Sequence, residues 1–426
     1  MSRGVVNLPL LYDFAYVALD DMTKIAKGVV EAFYGKKAEY NYWSGCSTGG
    51  RQGMAHAQRF PENYDGVLSV APAMNLVSFV VSDLWPQVVM NEMGVHPPTC
   101  EFHAITAAAI EACDELDGVQ DGLISAHGQC SFDPSTVVGK EIDCNGKPHQ
   151  IPQEAATIAL KSWQGPRNTG ETIEWPGISH EASFYIPEVA PFGGLAHTDC
   201  PPTSPTDGKK CSGVPFVMAD SYIKYLLAKD PNFDTSSVTE AEFFRLLHRS
   251  RQEYQSVLDT AYPDLSAFKA AGGKMLHWHG IADGLIPVNG SKDYYTRVEA
   301  LDPDVRDFYR YFEVPGVAHC SGGPGLFPAT ALDSLIKWVE KVKRRGRSRV
   351  SMGMSRGRFV LGRWSRFTRV GIRMRRSRLS ARRIGALSGF RRWRAPAGRK
   401  KSCEGGGDVR IAATSQVRVS DIWKSS

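Results

Sequence analysis

Six residues, Gly45-Cys46-Ser47-Thr48-Gly49-Gly50, constrain this chain more than any other feature. They fit G-x-S-x-G, the sharp strand-to-helix turn that exposes a serine hydroxyl at the end of a sheet. The flanks suit that context. Lys37-Ala38-Glu39-Tyr40-Asn41-Tyr42-Trp43 is rich in aromatic residues, as strands are. The run from Arg51 to Phe60 carries Met54 and Ala57 at helical spacing. On this reading Gly45 and Gly49 leave room for a strained turn. The helix points its positive end at the serine oxygen, and the Thr48 N–H is the first oxyanion donor. The same letters also fit a glycine-rich turn with an unreactive serine. Far downstream stands Gly316-Val317-Ala318-His319-Cys320-Ser321-Gly322-Gly323. A serine nucleophile needs a histidine base within hydrogen-bond reach. A bridge between Cys46 and Cys320, if formed, would hold Ser47 beside His319.

A serine–histidine pair usually needs an acid to orient the imidazole. Lys274-Met275-Leu276-His277-Trp278-His279-Gly280 reads as a strand running into Ile281-Ala282-Asp283-Gly284. Asp283 then sits at a strand's carboxyl end, where α/β sheets place functional groups. Phe308 to Glu313 reads as another strand, and the His319 loop follows it. The chain order is Ser, Asp, His, the order found in α/β-hydrolases. Asp283 alone also fits an Asp-Gly turn, and His319 alone fits an ordinary loop histidine. His277 and His279 share a face of their strand. With no third ligand evident, packing or substrate lining suits them better than a metal.

With these motifs the chain resembles the tannase and feruloyl esterase family of secreted carboxylic ester hydrolases, from about Asp13 to about Val342. The resemblance rests on Cys46-Ser47, Asp283 and His319-Cys320. It extends through Ser47-Thr48-Gly49-Gly50-Arg51-Gln52-Gly53, Ala57-Gln58-Arg59-Phe60-Pro61, Tyr64-Asp65-Gly66-Val67 and Ala71-Pro72-Ala73. It implies an α/β-hydrolase fold with a large lid, acting on esters of phenolic acids such as ferulate or gallate.

Ser47 and Asp283 are much farther apart than a few βα units require, so residues 75–270 are expected to form an inserted lid domain. Residues 1–74 and 271–342 then make up the hydrolase domain. The lid contains Cys113-Asp114-Glu115-Leu116-Asp117-Gly118-Val119-Gln120-Asp121-Gly122-Leu123. Closely spaced carboxylates and glycines suit a hard cation or a series of Asp-Gly turns. The resemblance implies a structural calcium site, held by the Asp114, Asp117 and Asp121 side chains and the Val119 and Leu123 carbonyls. Nothing in the sequence places it near the triad.

Nine cysteines suit an oxidising compartment. Cys113 and Cys130 flank the acidic loop, and Cys100 with Cys144 and Cys200 with Cys211 are plausible further pairs. Asn289-Gly290-Ser291 matches a glycosylation acceptor. Secretion is therefore expected, although Met1 to Leu11 has too short an apolar run for a signal peptide. No stretch is long and apolar enough to span a membrane.

The two ends differ from the middle. From Lys341 to Ser402 stand 23 Lys and Arg and no Asp or Glu; subtracting them from the formal net charge of +6 leaves −17 on the rest. Residues 343–426 are expected to be a disordered basic tail. One reading makes it a binder of nucleic acid or another anionic surface. The other, a frame error or retained intron, better suits a change so abrupt at the end of an apparent helix, and a nucleic-acid partner is not expected. At the other end, Asp13 to Phe33 reads as a helix with Phe14, Val17, Met22, Ile25, Val29 and Phe33 as its apolar stripe. The strands that should precede it are missing, so the Tyr40–Trp43 strand is expected at an exposed edge. A second oxyanion donor is expected to be lost with them.

Overall fold

A computed structural model describes residues 4–344 except 145, 169, 203 and 204. The basic tail from residue 345 on lies outside the described residues, as does Cys403; residues 343 and 344, expected to begin a disordered tail, instead close helix Ala331–Arg344. Four strands, Tyr42–Cys46, Gly66–Val70, Lys274–Gly280 and Tyr309–Val314, form one sheet in that spatial order. All three pairings are parallel, with Cys46 opposite Val70, Val70 opposite Trp278, and Gly280 opposite Val314. The carboxyl ends therefore share one edge of the sheet, and the residues after Cys46, Gly280 and Val314 emerge together.

Alternation along the strands divides the packing. Val67 and Met275 face one way, into a core with Met54 and Ala57 of helix Thr48–Arg59 and Tyr294 and Val298 of helix Val288–Leu301. Leu68, Val70 and Trp278 face the other way, against Leu335 and Val339 of helix Ala331–Arg344. This is a parallel sheet with helices on both faces, buried as such sheets are.

Helices are the main regular elements of the long stretch between the second and third strands. Helices Leu76–Ser82, Trp85–Met93, Thr99–Cys113, Gln153–Gln164 and Glu240–Leu258 enclose a third apolar core around Val88, Phe102, Ile158 and Phe243. Four disulfides are formed: Cys46–Cys320, Cys100–Cys144, Cys113–Cys130 and Cys200–Cys211.

The amino-terminal helix forms as expected, over Leu8–Tyr12, a π-helical turn Asp13–Val17, and Ala18–Tyr34. Its buried line is not the expected stripe. Leu11, Ala15, Leu19 and Thr23 are buried, at i, i+4, i+8 and i+12. Phe14, Val17, Met22, Ile25, Val29 and Phe33 are exposed, Phe33 by 79%. The helix meets the chain through a narrow line in which Leu alternates with Ala and Thr, and leaves its broader apolar face to solvent. Among the described residues, Tyr42–Cys46 pairs only with Gly66–Val70, so it is a sheet edge. No described helix is long and apolar enough to cross a membrane.

Candidate active site

Ser47 stands between the first strand and helix Thr48–Arg59 with φ 61° and ψ −121°, a region that non-glycine residues enter only under strain. The turn is held from several sides. The Ser47 N–H donates to the Val70 carbonyl at 3.0 Å, and its own carbonyl accepts from Arg51 at 2.9 Å and Ala73 at 3.1 Å. A Cβ on Gly45 would lie 2.5 Å from the Gly49 backbone, and one on Gly50 would lie 2.5 Å from the Val70 oxygen. A Cβ on Gly49 would meet nothing. The space-making pair is thus Gly45 and Gly50, not Gly45 and Gly49: Gly49 contributes the backbone that Gly45 must clear. Thr48 begins the helix, where N–H groups have no intrahelical acceptor.

Arg51, in the first turn, is fully buried. Its Nε donates to the Leu258 carbonyl at 2.9 Å and Nη2 to the Ala15 carbonyl at 3.0 Å. Burial lowers its pKa to about 10, still charged at neutral pH.

Asp283 follows the third strand and is wholly buried. Its Oδ1 accepts the N–H groups of Leu285 and Ile286, both at 2.9 Å. Its Oδ2 lies 2.8 Å from His319 Nδ1 and 3.1 Å from His279 Nε2. Burial alone would raise the pKa of Asp283. The charge of His319 and the hydrogen bonds from His279 and His319 outweigh it and hold the carboxyl below the usual range. An ionised carboxylate only accepts, so Nδ1 of His319 carries the proton and Nε2 the lone pair. Burial would lower the His319 pKa, but the neighbouring Asp283 charge and hydrogen bond raise it above the ordinary value.

His279 was the signal that sequence reasoning missed. It is neither a metal ligand nor mere packing. Its Nε2 donates to Asp283 and, at 3.0 Å, to the Ile286 carbonyl, while Nδ1 lies 2.7 Å from the Ser291 hydroxyl. Nε2 must be a donor, since the Ile286 carbonyl only accepts, whereas the Ser291 hydroxyl can serve Nδ1 as donor or acceptor. Ser291 is buried in this contact and is not a surface loop residue, contrary to the usual setting of a glycosylation acceptor. His277 instead meets the Tyr309 hydroxyl at 2.8 Å.

Ser47 and His319 are joined through their neighbours. The Cys46–Cys320 disulfide has a Cα–Cα distance of 5.8 Å. With one peptide on each side, the Ser47 and His319 Cα atoms are at most about 13 Å apart. The described hydrogen bonds include His319–Asp283 and none between Ser47 and His319. A large cleft of about 950 Å³, bordered by Arg59, Glu174, Arg251 and Arg297, includes none of Ser47, Asp283 and His319.

In the acidic loop, the buried Asp114 carboxylate accepts the N–H groups of Asp121, Gly122 and Leu123 at 3.0, 2.9 and 3.3 Å. Asp117 accepts from Val119 and Asp121 from Leu123. The donor set is all oxygen, which fits a hard cation. Among the described residues no three His, Cys, Asp or Glu side chains converge as a ready cage. The loop lies against the root of the segment that carries His319. A Cβ on Gly316, three residues before His319, would lie 2.5 Å from Leu123 Cδ2.

Known proteins resemble this chain over most of its length. The sequence profile described as "Tannase and feruloyl esterase" matches residues 3–358. A probable feruloyl esterase from Arthroderma benhamiae is 40% identical, over 79% of this chain and 61% of its own length. A tannase from Aspergillus oryzae is 30% identical, over 84% of this chain and 68% of its own. The structure of a tannin acyl hydrolase from Aspergillus niger superposes with a TM-score of 0.73 at 29% identity, covering 80% of this chain and 64% of that one. The chain thus spans about three-fifths to two-thirds of the length of the relatives it matches. With the serine turn, the buried Asp283 and the disulfide-tethered His319 on one edge of a parallel sheet, and this breadth of likeness, the chain belongs to the tannase and feruloyl esterase family.

Proposed function

We propose that this chain carries the active site of a serine carboxylic ester hydrolase acting on phenolic acid esters of the feruloyl or galloyl type. The observation that carries the reading is the Asp283–His319 hydrogen bond at 2.8 Å, on a loop tethered by Cys46–Cys320 to the strained Ser47 turn. Ser47 attacks the ester carbonyl as Nε2 of His319 takes its proton. The Thr48 N–H and the positive end of its helix stabilise the oxyanion. His319 then protonates the leaving alcohol, and water activated by the same imidazole releases the acid from Ser47. Asp283, kept ionised, stabilises the imidazolium in both halves.

Hydrolysis of methyl ferulate and methyl gallate, followed across pH, tests this. His319 must be neutral to act as base. Its pKa is raised, so kcat/KM should fall on the acid side with an apparent pKa above that of an ordinary histidine. A profile flat through that region would remove His319 from the base role. The ratio of the two rates assigns the acyl group.

Residues 75–270 act in this reading as the lid that shapes the acyl pocket. The four disulfides support a secreted protein. The Asp114, Asp117 and Asp121 carboxylates and the Val119 and Leu123 carbonyls are the groups that would hold a structural calcium ion. Chelation should then lower the Tm and added calcium restore it; a Tm indifferent to both would leave the loop an Asp-Gly turn series.

A second reading rests on the exposed apolar stripe and the unpaired edge at Tyr42–Cys46. A further β-segment would cover both and supply a second oxyanion donor, and a missing donor costs roughly 2.7–4 kcal/mol of transition-state stabilisation. On its own the 426-residue chain should then associate and turn over poorly. A soluble monomer with normal turnover would refute this.

A further inference from the structure

Beside the packing of Val317 in the core, two anchors hold the loop that carries His319. One is the disulfide at Cys320. The other is Glu181, more than a hundred residues earlier and buried. Glu181 Oε1 accepts the Gly316 N–H at 2.8 Å, and Oε2 accepts the Ile124 N–H at 2.8 Å. We propose that Glu181 is a positioning residue for His319, fastening the root of the histidine loop to the end of the acidic loop. The inference rests on the reading of His319 as the general base.

Three observations converge on it. First, the His319 loop is pliant by composition. Gly316, Cys320, Gly322 and Gly323 all have positive φ. Its internal bonds are short-range, Ala318 N–H to the Gly322 carbonyl and Ser321 N–H to the His319 carbonyl. With Val317 packed in the core, the bond at Gly316 fixes the direction in which this loop leaves its strand. Second, the acceptor is made for the task. Two backbone N–H groups from segments far apart in sequence converge on one carboxylate, each on its own oxygen, and charge-assisted bonds of this kind are the strong ones. Third, the same turn reaches the acid. Ser179, which closes a turn with Ala182, donates its hydroxyl to the Ile281 carbonyl at 2.5 Å, two residues before Asp283. A single turn of the inserted segment therefore braces the loops of both His319 and Asp283, whose side chains must stay within 2.8 Å of each other. It also joins them to the Asp114–Leu123 loop through Ile124.

The test compares the full 426-residue chain with its Glu181→Gln variant. An amide keeps the size but accepts with one end only, setting its NH2 against the other N–H. Hydrogen exchange at residues 316–323 should quicken roughly tenfold while the Tyr309–Val314 strand is unchanged. The downfield proton resonance of His319 Nδ1–H should broaden or disappear. Ester turnover should lose kcat with KM nearly constant, since orientation rather than binding is disturbed. Unchanged exchange and an unchanged His319 resonance would overturn the proposal. So would faster exchange with the resonance and kcat intact, which would make Glu181 purely structural. If the parent chain hydrolyses no ester, the base reading is in question, while exchange and the resonance still decide whether Glu181 positions His319. Should Glu181→Gln not accumulate as folded protein, Ser179→Ala removes one hydroxyl from the same turn. It should weaken the same resonance from the Asp283 side, and an unaltered resonance there would count against the brace.

Discussion

Replacing Ser47 with alanine should abolish ester turnover, a loss on the order of 10⁶-fold in kcat, as when the nucleophile of a serine triad is removed. The substitution deletes one oxygen. The alanine would sit at the same positive φ, since the strain belongs to the backbone and not to the hydroxyl. The turn is fixed by the bonds to Val70, Arg51 and Ala73, none of which uses the side chain. Stability and substrate binding should therefore stay near those of the parent, and only the chemical step is lost. The measurement is paired: kcat on an aryl ester and affinity for the unreacted ester by calorimetry. Undiminished kcat would remove Ser47 from the mechanism.

The second large effect belongs to the Cys46–Cys320 bridge. Changing both cysteines to serine should lower stability and activity together. The bridge closes a loop of 274 residues. In the chain-entropy model such a closure is worth about 5–6 kcal/mol, less any strain. That is a large share of the stability of an ordinary domain. The catalytic cost has a separate cause. Ser47 and His319 lie one residue from either sulfur, and no hydrogen bond between them is described, so the bridge is the covalent part of their alignment. Urea denaturation and kcat/KM, measured on the same double variant, separate the two effects. A variant with lowered stability and full kcat/KM would show that packing alone aligns the pair.

The parts of the fold legible in the sequence were those with local causes. The strand at 274–280 announced itself by its run of apolar and aromatic residues, and the serine turn by its glycines. What escaped depends on tertiary approach. The apolar stripe of the first helix was correctly counted, but periodicity does not say which face meets the rest of the chain. Of Leu11, Ala15, Leu19 and Thr23, only the two leucines carry weight in an apolar count; Ala15 is small and Thr23 carries a hydroxyl. Gly49 and Gly50 are adjacent in a motif, and only the path of the Val70 carbonyl reveals which of them is crowded. His279 shows its role only once Ser291 and Asp283 are seen on either side of its ring. The acidic loop looked remote because Leu123 and Gly316 are nearly two hundred residues apart.

The strand order has a consequence for how the molecule comes into being. Gly66–Val70 must pair with Lys274–Gly280, and about two hundred residues are synthesised between them. Until the third strand emerges from the ribosome, Gly66–Val70 lacks the neighbour it will take on the side away from Tyr42–Cys46, and that rim stays open. Long-range parallel pairing is intrinsically slow, and open rims in an unfinished chain invite association with other chains. The helical stretch in between can build its own core meanwhile, since the contacts among its helices need no part of the third strand. Asp283 and His319 arrive only afterwards. Ser47 is therefore synthesised well before Asp283 and His319, the two groups proposed to activate it.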